Sequence, residues 1–241
     1  TVPEDGSTTE FEQFLSYMND LDENELGLID YYPLQAKLNR SGANTLLVDV
    51  PANHPYGTGS SSEFVFQEVI ARIASDFGMA KVQFFTEGTP GIEFGNSGIL
   101  YELNVSDQFN RGYLLYYPDE SAENPFLVPS MRSYETIETA IDAMQAGDKD
   151  NGLEPSIPNG FIIDHVEIPN NELVVLSLND KTVVENEHSF ALAIEAIMLT
   201  AKDFQFKKVK IESSTIGGIG KFTFNEEWDV PVAPNNMDVY K

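Results

Sequence analysis

Much of this chain is written twice. Aligned at a constant offset of 127 with no gap, residues 44–91 and 171–218 are identical at 12 of 48 positions. The matches include Leu46/Leu173, Val48/Val175, Ser62/Ser189, Glu68/Glu195, Ile70/Ile197, Asp76/Asp203, Phe77/Phe204, Lys81/Lys208, Val82/Val209 and Gly91/Gly218. A repeat of that length is a whole small domain, not a solenoid unit. The 241 residues suffice to bury a core in each half. The expected fold class is therefore α+β: two similar small domains in tandem, each a mixed or antiparallel sheet covered by two helices.

The spacing of apolar residues supplies the elements. Thr9 caps a helix whose stripe is Phe11, Phe14, Leu15 and Met18, and its second-half counterpart is Ile137, Ala140, Ile141 and Met144, closed by Gly147. That pair is offset by 126, so the register slips by one between the first helices and the central block. Strands are expected at Gln35–Asn39 and Thr45–Val50 around the turn 40–44, and at Ile162–Ile168 and Leu173–Leu178 around the turn 169–172. The near-continuous runs at Leu46–Val48 and Leu173–Leu176 mark central strands covered on both faces. A second helix follows, with Ser60 and Glu63 as a capping box and Phe66, Val69, Ile70, Ile73, Ala74 and Phe77 as its stripe before Gly78. Its twin uses Ala193, Ala196, Ile197, Thr200, Ala201 and Phe204. Each helix feeds a strand, Val82–Phe85 or Val209–Ile211.

The halves differ at their openings. Tyr113–Tyr117 reads as a strand followed by Phe126–Val128 and Met131–Tyr134, and shifting it back by 127 falls before Thr1. The first copy therefore lacks an opening strand, unless Ile99–Val105 folds back to cover the edge of Val82–Phe85. The expected boundaries are a first copy at 1–105, a linker at 106–112, a second copy at 113–224 and a C-terminal tail at 225–241. The polar segment Thr1–Thr9 reads as a trimmed or processed end.

Charge restricts the function. Against 39 acidic residues there are 14 basic ones, a formal charge of -25 that repels phosphate backbones and anionic headgroups. No nucleic acid is expected as a partner. Lack of cysteine removes disulfides and thiolate metal sites, and with the acidity it fits an exported bacterial protein, though an acidic cytosolic protein would look the same. No apolar run approaches the roughly 20 residues of a membrane span, so no direct insertion is expected in this segment.

No constellation rises to an active site. His54 lies near Asp49 and Ser60 in sequence, but Ser60–Ser62 is better used as a helix start, there is no Gly-x-Ser-x-Gly elbow, and the second copy carries Lys181 where the first has His54. His165 reads as solvent-facing on a strand and His188 as the start of a helix. Gly57 and Gly59 precede a helix, yet Ser62 stands where a dinucleotide fingerprint needs its third glycine. Gly217, Gly218 and Gly220 lead into an alternating segment and fit a hairpin. Asp20–Asn24 begins like a calcium loop but has Glu25 at the glycine position and Tyr31 at the twelfth, and Asp148–Gly152 fails similarly. Trp228 fits an anchor that packs the tail onto the body. No catalytic, cofactor-binding or metal residue is assigned, and no cofactor is expected.

Several segments together resemble the GerM domain of spore-forming bacteria. Tyr113–Tyr117 with Leu127–Arg132 is similar to the family's opening strands, and the helix 135–146 is followed by Ile157-Pro158-Asn159-Gly160, similar to the family's Ile-Pro-x-Gly turn. Val48-Asp49-Val50-Pro51 matches the family's Val-Asp-Leu-Ser strand better than Leu173–Leu178, which has Leu176 at the Asp position. Ser189–Ile211 completes the pattern. The resemblance covers the second copy nearly end to end and the first from its first helix onward. It implies a tandem, extracytoplasmic, non-enzymatic scaffold or interaction module, secreted or tethered to the envelope by an upstream lipid anchor. Its implied partners are other envelope or sporulation proteins, and no catalytic residue carries over. The alternative expectation is an extracytoplasmic binder of wall fragments or small molecules that uses the crevice between the copies.

Overall fold

The computed structural model describes residues 9–21, 23–24, 28, 31–95, 97–106, 109–119, 122, 124–231 and 233–234. They fall into two compact units, Thr1–Asp107 and Gln108–Lys241.

In the first unit, helix α1 (Glu10–Asp20) starts at Thr9, which accepts from the Glu12 amide while the Glu12 side chain bonds back to the Thr9 amide at 2.9 Å. This reciprocal cap satisfies two of the amides that a helix start otherwise leaves open. Strands β1 (Lys37–Ser41) and β2 (Thr45–Val50) form an antiparallel hairpin through Gly42, whose φ of 64° a side chain would resist. Helix α2 (Ser60–Asp76) then carries the chain back so that β3 (Lys81–Thr86) lies parallel to β2. Short strands β4 (Thr89–Pro90), β5 (Ile92–Phe94), β6 (Gly98–Leu100) and β7 (Glu102–Asn104) follow. Of these, β7 pairs antiparallel with β3, so Glu102–Asn104 cover the Lys81–Gln83 part of that edge, while Ile99 and Leu100 pair with β5 instead.

The second unit opens with the hairpin β8 (Arg111–Tyr116) and β9 (Phe126–Ser133), then α3 (Ile137–Ala146), β10 (Ile163–Asn170), β11 (Leu173–Leu178), α4 (Glu187–Asp203) and β12 (Lys208–Glu212). A small hairpin, β13 (Gly218–Ile219) and β14 (Phe222–Thr223), precedes β15 (Glu227–Asp229). β11 and β12 pair in parallel, and β15 closes the far edge of β12 as β7 closes β3. Both units thus fold as the expected α+β module. Each has its own core, one around Leu46, Phe66, Ile70, Val82 and Phe84, the other around Leu114, Met144, Val174, Ile197 and Val209.

Four expectations need correction. First, the gap-free offset of 127 fails on the central strand. Leu46 pairs with Val82, but Val174, not Leu173, pairs with Val209. Burial agrees, since Leu46, Val48, Val174 and Leu176 are fully buried while Leu47 and Leu173 are half-buried. The strands therefore correspond at an offset of 128, and a connection one residue shorter, 179–186 against 51–59, restores 127 in the helices. Second, Ser60 and Glu63 form no capping box. Gly59 is the N-cap without a side-chain bond, which makes Glu63 the fourth helical residue and turns it inward, 3% exposed. Third, Phe126–Val128 and Met131–Tyr134 are one strand through Pro129, accommodated by a register shift between Arg111 and Tyr113. Fourth, Pro169 and Asn170 belong to β10, so the hairpin turn is only Asn171 and Glu172.

The slip can be measured. Leu46→Ala is expected to lower stability by about 2–5 kcal/mol, the usual cost of emptying a core leucine site, and Leu47→Ala by under about half of that. Leu173→Ala should behave like Leu47→Ala in urea denaturation, whereas a gap-free repeat would make it behave like Leu46→Ala.

Candidate functional site

The connection between β2 and α2, with the first turn of α2, gathers the first unit's histidine and, among the described residues, its most buried carboxylate. A short 3-10 turn at Pro55–Gly57 is capped by His54, whose Nδ1 accepts the Tyr56 amide at 3.2 Å. The Tyr56 ring stacks on Phe66 at 3.8 Å between centroids, and its hydroxyl accepts the Gln35 amide at 2.7 Å. His54 lies against Tyr56 and Phe94, and burial there lowers its pKa below the ordinary imidazole value.

This geometry does not assemble a triad. A general base oriented by an aspartate needs Nδ1–H to donate, whereas here Nδ1 accepts. Asp49 is engaged elsewhere, accepting the Gly88 amide at 3.1 Å. Gly57 also has a packing role. A Cβ on it would meet the Glu93 carbonyl at 3.1 Å, and one on Gly95 would meet the Gly57 carbonyl at 2.8 Å, so two backbones touch at these glycines. Glu63 lies close by, accepting from the Ser97 hydroxyl at 2.8 Å. The repeat has Phe190 at its place, so the buried acid belongs to the first unit only.

The remaining candidates also resolve into structural roles. Glu23 accepts the amides of Tyr31 and Tyr32, the latter at 2.8 Å, and Asp22 and Glu25 lie outside the described residues. Burial, with Glu23 nearby, pushes both tyrosine hydroxyls well above the usual phenol range. Asp148 accepts from the Asn151 side chain at 2.8 Å. Among the described residues no group of three or more His, Asp or Glu could hold a metal ion. His165 is exposed beside Glu167 at 3.4 Å, and His188 is exposed in the first turn of α4. Trp228 sits in β15, packs on Phe222 at 5.5 Å and donates to the Thr223 carbonyl at 3.1 Å, so the anchor reading holds.

Two features were not legible in the sequence. In the second unit Arg111 is 5% exposed, donating to the carbonyls of Ser130 and Met131, while its amide donates to the buried Asp203 carboxylate at 3.1 Å. In the first unit a cleft of about 400 Å³ opens between α1 and β1, lined chiefly by Phe14, Leu15, Met18, Leu34, Ala36 and Leu38. A smaller cleft of about 340 Å³ lies beside Lys37, Asp49 and Glu87, and one of about 460 Å³ in the second unit beside Leu115, Tyr117 and Pro158. These are open apolar and polar surfaces with no nucleophile placed against a base.

Comparison with known proteins fits this inventory. Residues 114–214 match the family described as sporulation and spore germination. The resemblance to a GerM domain read from the sequence is thereby supported for the second unit. A solved structure, the tandem GerMN domains of the sporulation protein GerM from Bacillus subtilis, matches 98% of this chain and 93% of its own at a TM-score of 0.65 and 17% identity, a likeness of fold. Residues 1–103 match a second family, the anti-sigma-X factor RsiX central domain. The anti-sigma-X factor RsiX of Bacillus subtilis (strain 168) is 28% identical over 160 residues, 66% of this chain and 42% of that relative's length. No described helix is long and apolar enough to cross a membrane.

Because the fold holds His54 neutral, its contribution to stability is full above the ordinary imidazole pKa and is lost as pH falls through the lowered one. Between about pH 7 and about pH 5 the wild type should lose more stability than His54→Gln. An NMR titration should place the His54 midpoint below the ordinary value; a raised midpoint would contradict the assignment.

Proposed function

We propose that this chain is the non-enzymatic, double-domain part of a regulatory protein of the anti-sigma-factor kind, placed outside the cytoplasmic membrane and acting through protein contacts. The observation that carries the reading is the pairing of matches. One polypeptide joins a segment like the anti-sigma-X factor central domain to a sporulation and germination domain, and the alignment with the anti-sigma-X factor spans 160 residues. Charge supports the same reading, because a surface at -25 is repelled by nucleic acid and would influence transcription only through another protein. The absence of cysteine and the acidity support the placement outside the membrane.

The physical inventory supports a non-catalytic role. Buried ionisable groups here cap turns or bridge elements, as Glu63 and Asp203 do, and His54 is engaged by its own loop.

In-frame deletion of these 241 residues from the full-length gene tests the proposal through genome-wide transcript levels. A several-fold change confined to the promoters of one alternative sigma factor is expected. Unaltered promoter activity across all sigma-factor regulons would remove the regulatory reading.

A further inference from the structure

The chain contains two Asn–Gly pairs, Asn151-Gly152 and Asn159-Gly160, and the fold holds them differently. Glycine has no side chain to shield the amide that follows an asparagine, so that nitrogen can attack the asparagine side-chain carbonyl. The reaction needs both groups free to approach one another. At Asn151 neither is free. Its side-chain amide donates to the Asp148 carboxylate at 2.8 Å, and the Gly152 amide donates to the Lys149 carbonyl at 3.2 Å. Asn159 is exposed, and among the described residues neither its side chain nor the Gly160 amide has a hydrogen-bond partner. At the offset of 127 the first unit has Tyr32-Pro33 in this place, where the ring nitrogen carries no hydrogen and cannot react.

The surroundings of Asn159 make a change in backbone length costly. Residues 158–161 form a β-turn closed by the Phe161 amide, which donates to the Pro158 carbonyl at 2.8 Å. The turn sets Phe161, 1% exposed, against Phe190 with ring centroids 5.3 Å apart. The Val183 amide donates to the Gly160 carbonyl at 3.2 Å, and a Cβ on Gly160 would meet the Val183 carbonyl at 2.8 Å. The turn is held between a core aromatic pair and the connection that leads into α4.

We propose that Asn159-Gly160 is a self-modification site that converts to isoaspartate and thereby unseats Phe161. The Gly160 nitrogen bonds to the Asn159 side-chain carbonyl carbon and gives up its proton. The C–N bond of the side-chain amide breaks, and its nitrogen leaves as ammonia. One water then opens the resulting cyclic imide. Opening at the main-chain carbonyl leaves an isoaspartyl link, one carbon longer because the backbone now runs through the side chain. Opening at the other carbonyl leaves ordinary aspartate. Either product adds a negative charge, but only the isoaspartyl link lengthens the ring that the Phe161–Pro158 hydrogen bond closes. The reaction consumes water and no other reagent. It concerns the chain's own chemistry and stands independently of the regulatory reading above.

Peptide mapping by mass spectrometry, on purified protein held in mildly alkaline buffer, tests the site. The Asn159 peptide should gain about 1 Da at least about tenfold faster than the Asn151 peptide, since two hydrogen bonds must break before Asn151 can react. In concentrated urea, with the folded geometry gone, the two rates should converge. An isoaspartyl-specific methyltransferase should label the Asn159 peptide. The modified protein should melt below the fresh one, whereas Asn159→Gln, whose longer side chain closes a less favourable ring, should keep its midpoint through the same treatment. Freshly prepared Asn159→Asp carries the charge without the extra carbon and should melt as the fresh wild type does. Equal rates at the two pairs in the folded protein, or an Asn159 that outlasts Asn151, would overturn the site. Isoaspartyl protein that keeps the fresh melting midpoint would overturn the unseating of Phe161.

Discussion

Parallel pairing of β2 with β3, and of β11 with β12, is the constraint on which the rest of each unit depends. Parallel neighbours cannot be joined by a tight turn; the chain must travel back across the sheet first. A helix of 17 residues spans about 25 Å, enough to recross strands of about 20 Å with room for the connections. Both units use a helix of 17 residues for that purpose. It packs on the sheet through Phe66, Ile70 and Ala74 in one unit and Ala193, Ile197 and Ala201 in the other, three positions at one offset. Once that crossover is in place, β3 and β12 need partners on their far side, and β7 and β15 supply them from sequences with no evident kinship.

The helices were legible because burial on one face writes a period of 3.6 into the sequence, and Phe11–Met18 and Phe66–Phe77 show it without ambiguity. The register of the central strand was not. Alternation repeats every two residues, so a slip of one changes which face is buried while leaving a run such as Leu173-Val174-Val175-Leu176 looking the same. Asn44/Asn171, Leu46/Leu173 and Val48/Val175 are identities in letters between positions that are not equivalent in space. Glu63 carried a signal that was outweighed. It stands one turn before Phe66 on the stripe, where an acid is out of place, but a capping box explained it more cheaply than a buried carboxylate bonded to Ser97.

Of the candidate site, the sequence held the negative half. His54, Asp49 and Ser60 could be doubted as a triad from the missing Gly-x-Ser-x-Gly elbow and from Lys181 at the repeat position of His54, and the Tyr56 amide on Nδ1 supplies the geometric reason. Clefts and edges were invisible because they depend on which elements meet and which do not. Nothing in Lys37–Ser41 says that, among the described residues, it ends its sheet, or that Met18 shares a cleft with Leu38; only the assembled sheet does. The two copies have diverged mainly at such places. The second adds the β8–β9 hairpin, whose Tyr113 amide donates to Thr200, while the first has Ile73 at that helix position and no counterpart of that hairpin among its described residues. A duplicated scaffold has kept its crossover and varied its surfaces.

Long-range backbone NOEs in the isotopically labelled chain test the duplicated crossover most directly. Parallel contacts of Leu46 with Val82 and of Val174 with Val209 are predicted, with Leu173 opposite Lys208. Antiparallel contacts between these strands, or contacts placing Leu173 opposite Val209, would contradict the account.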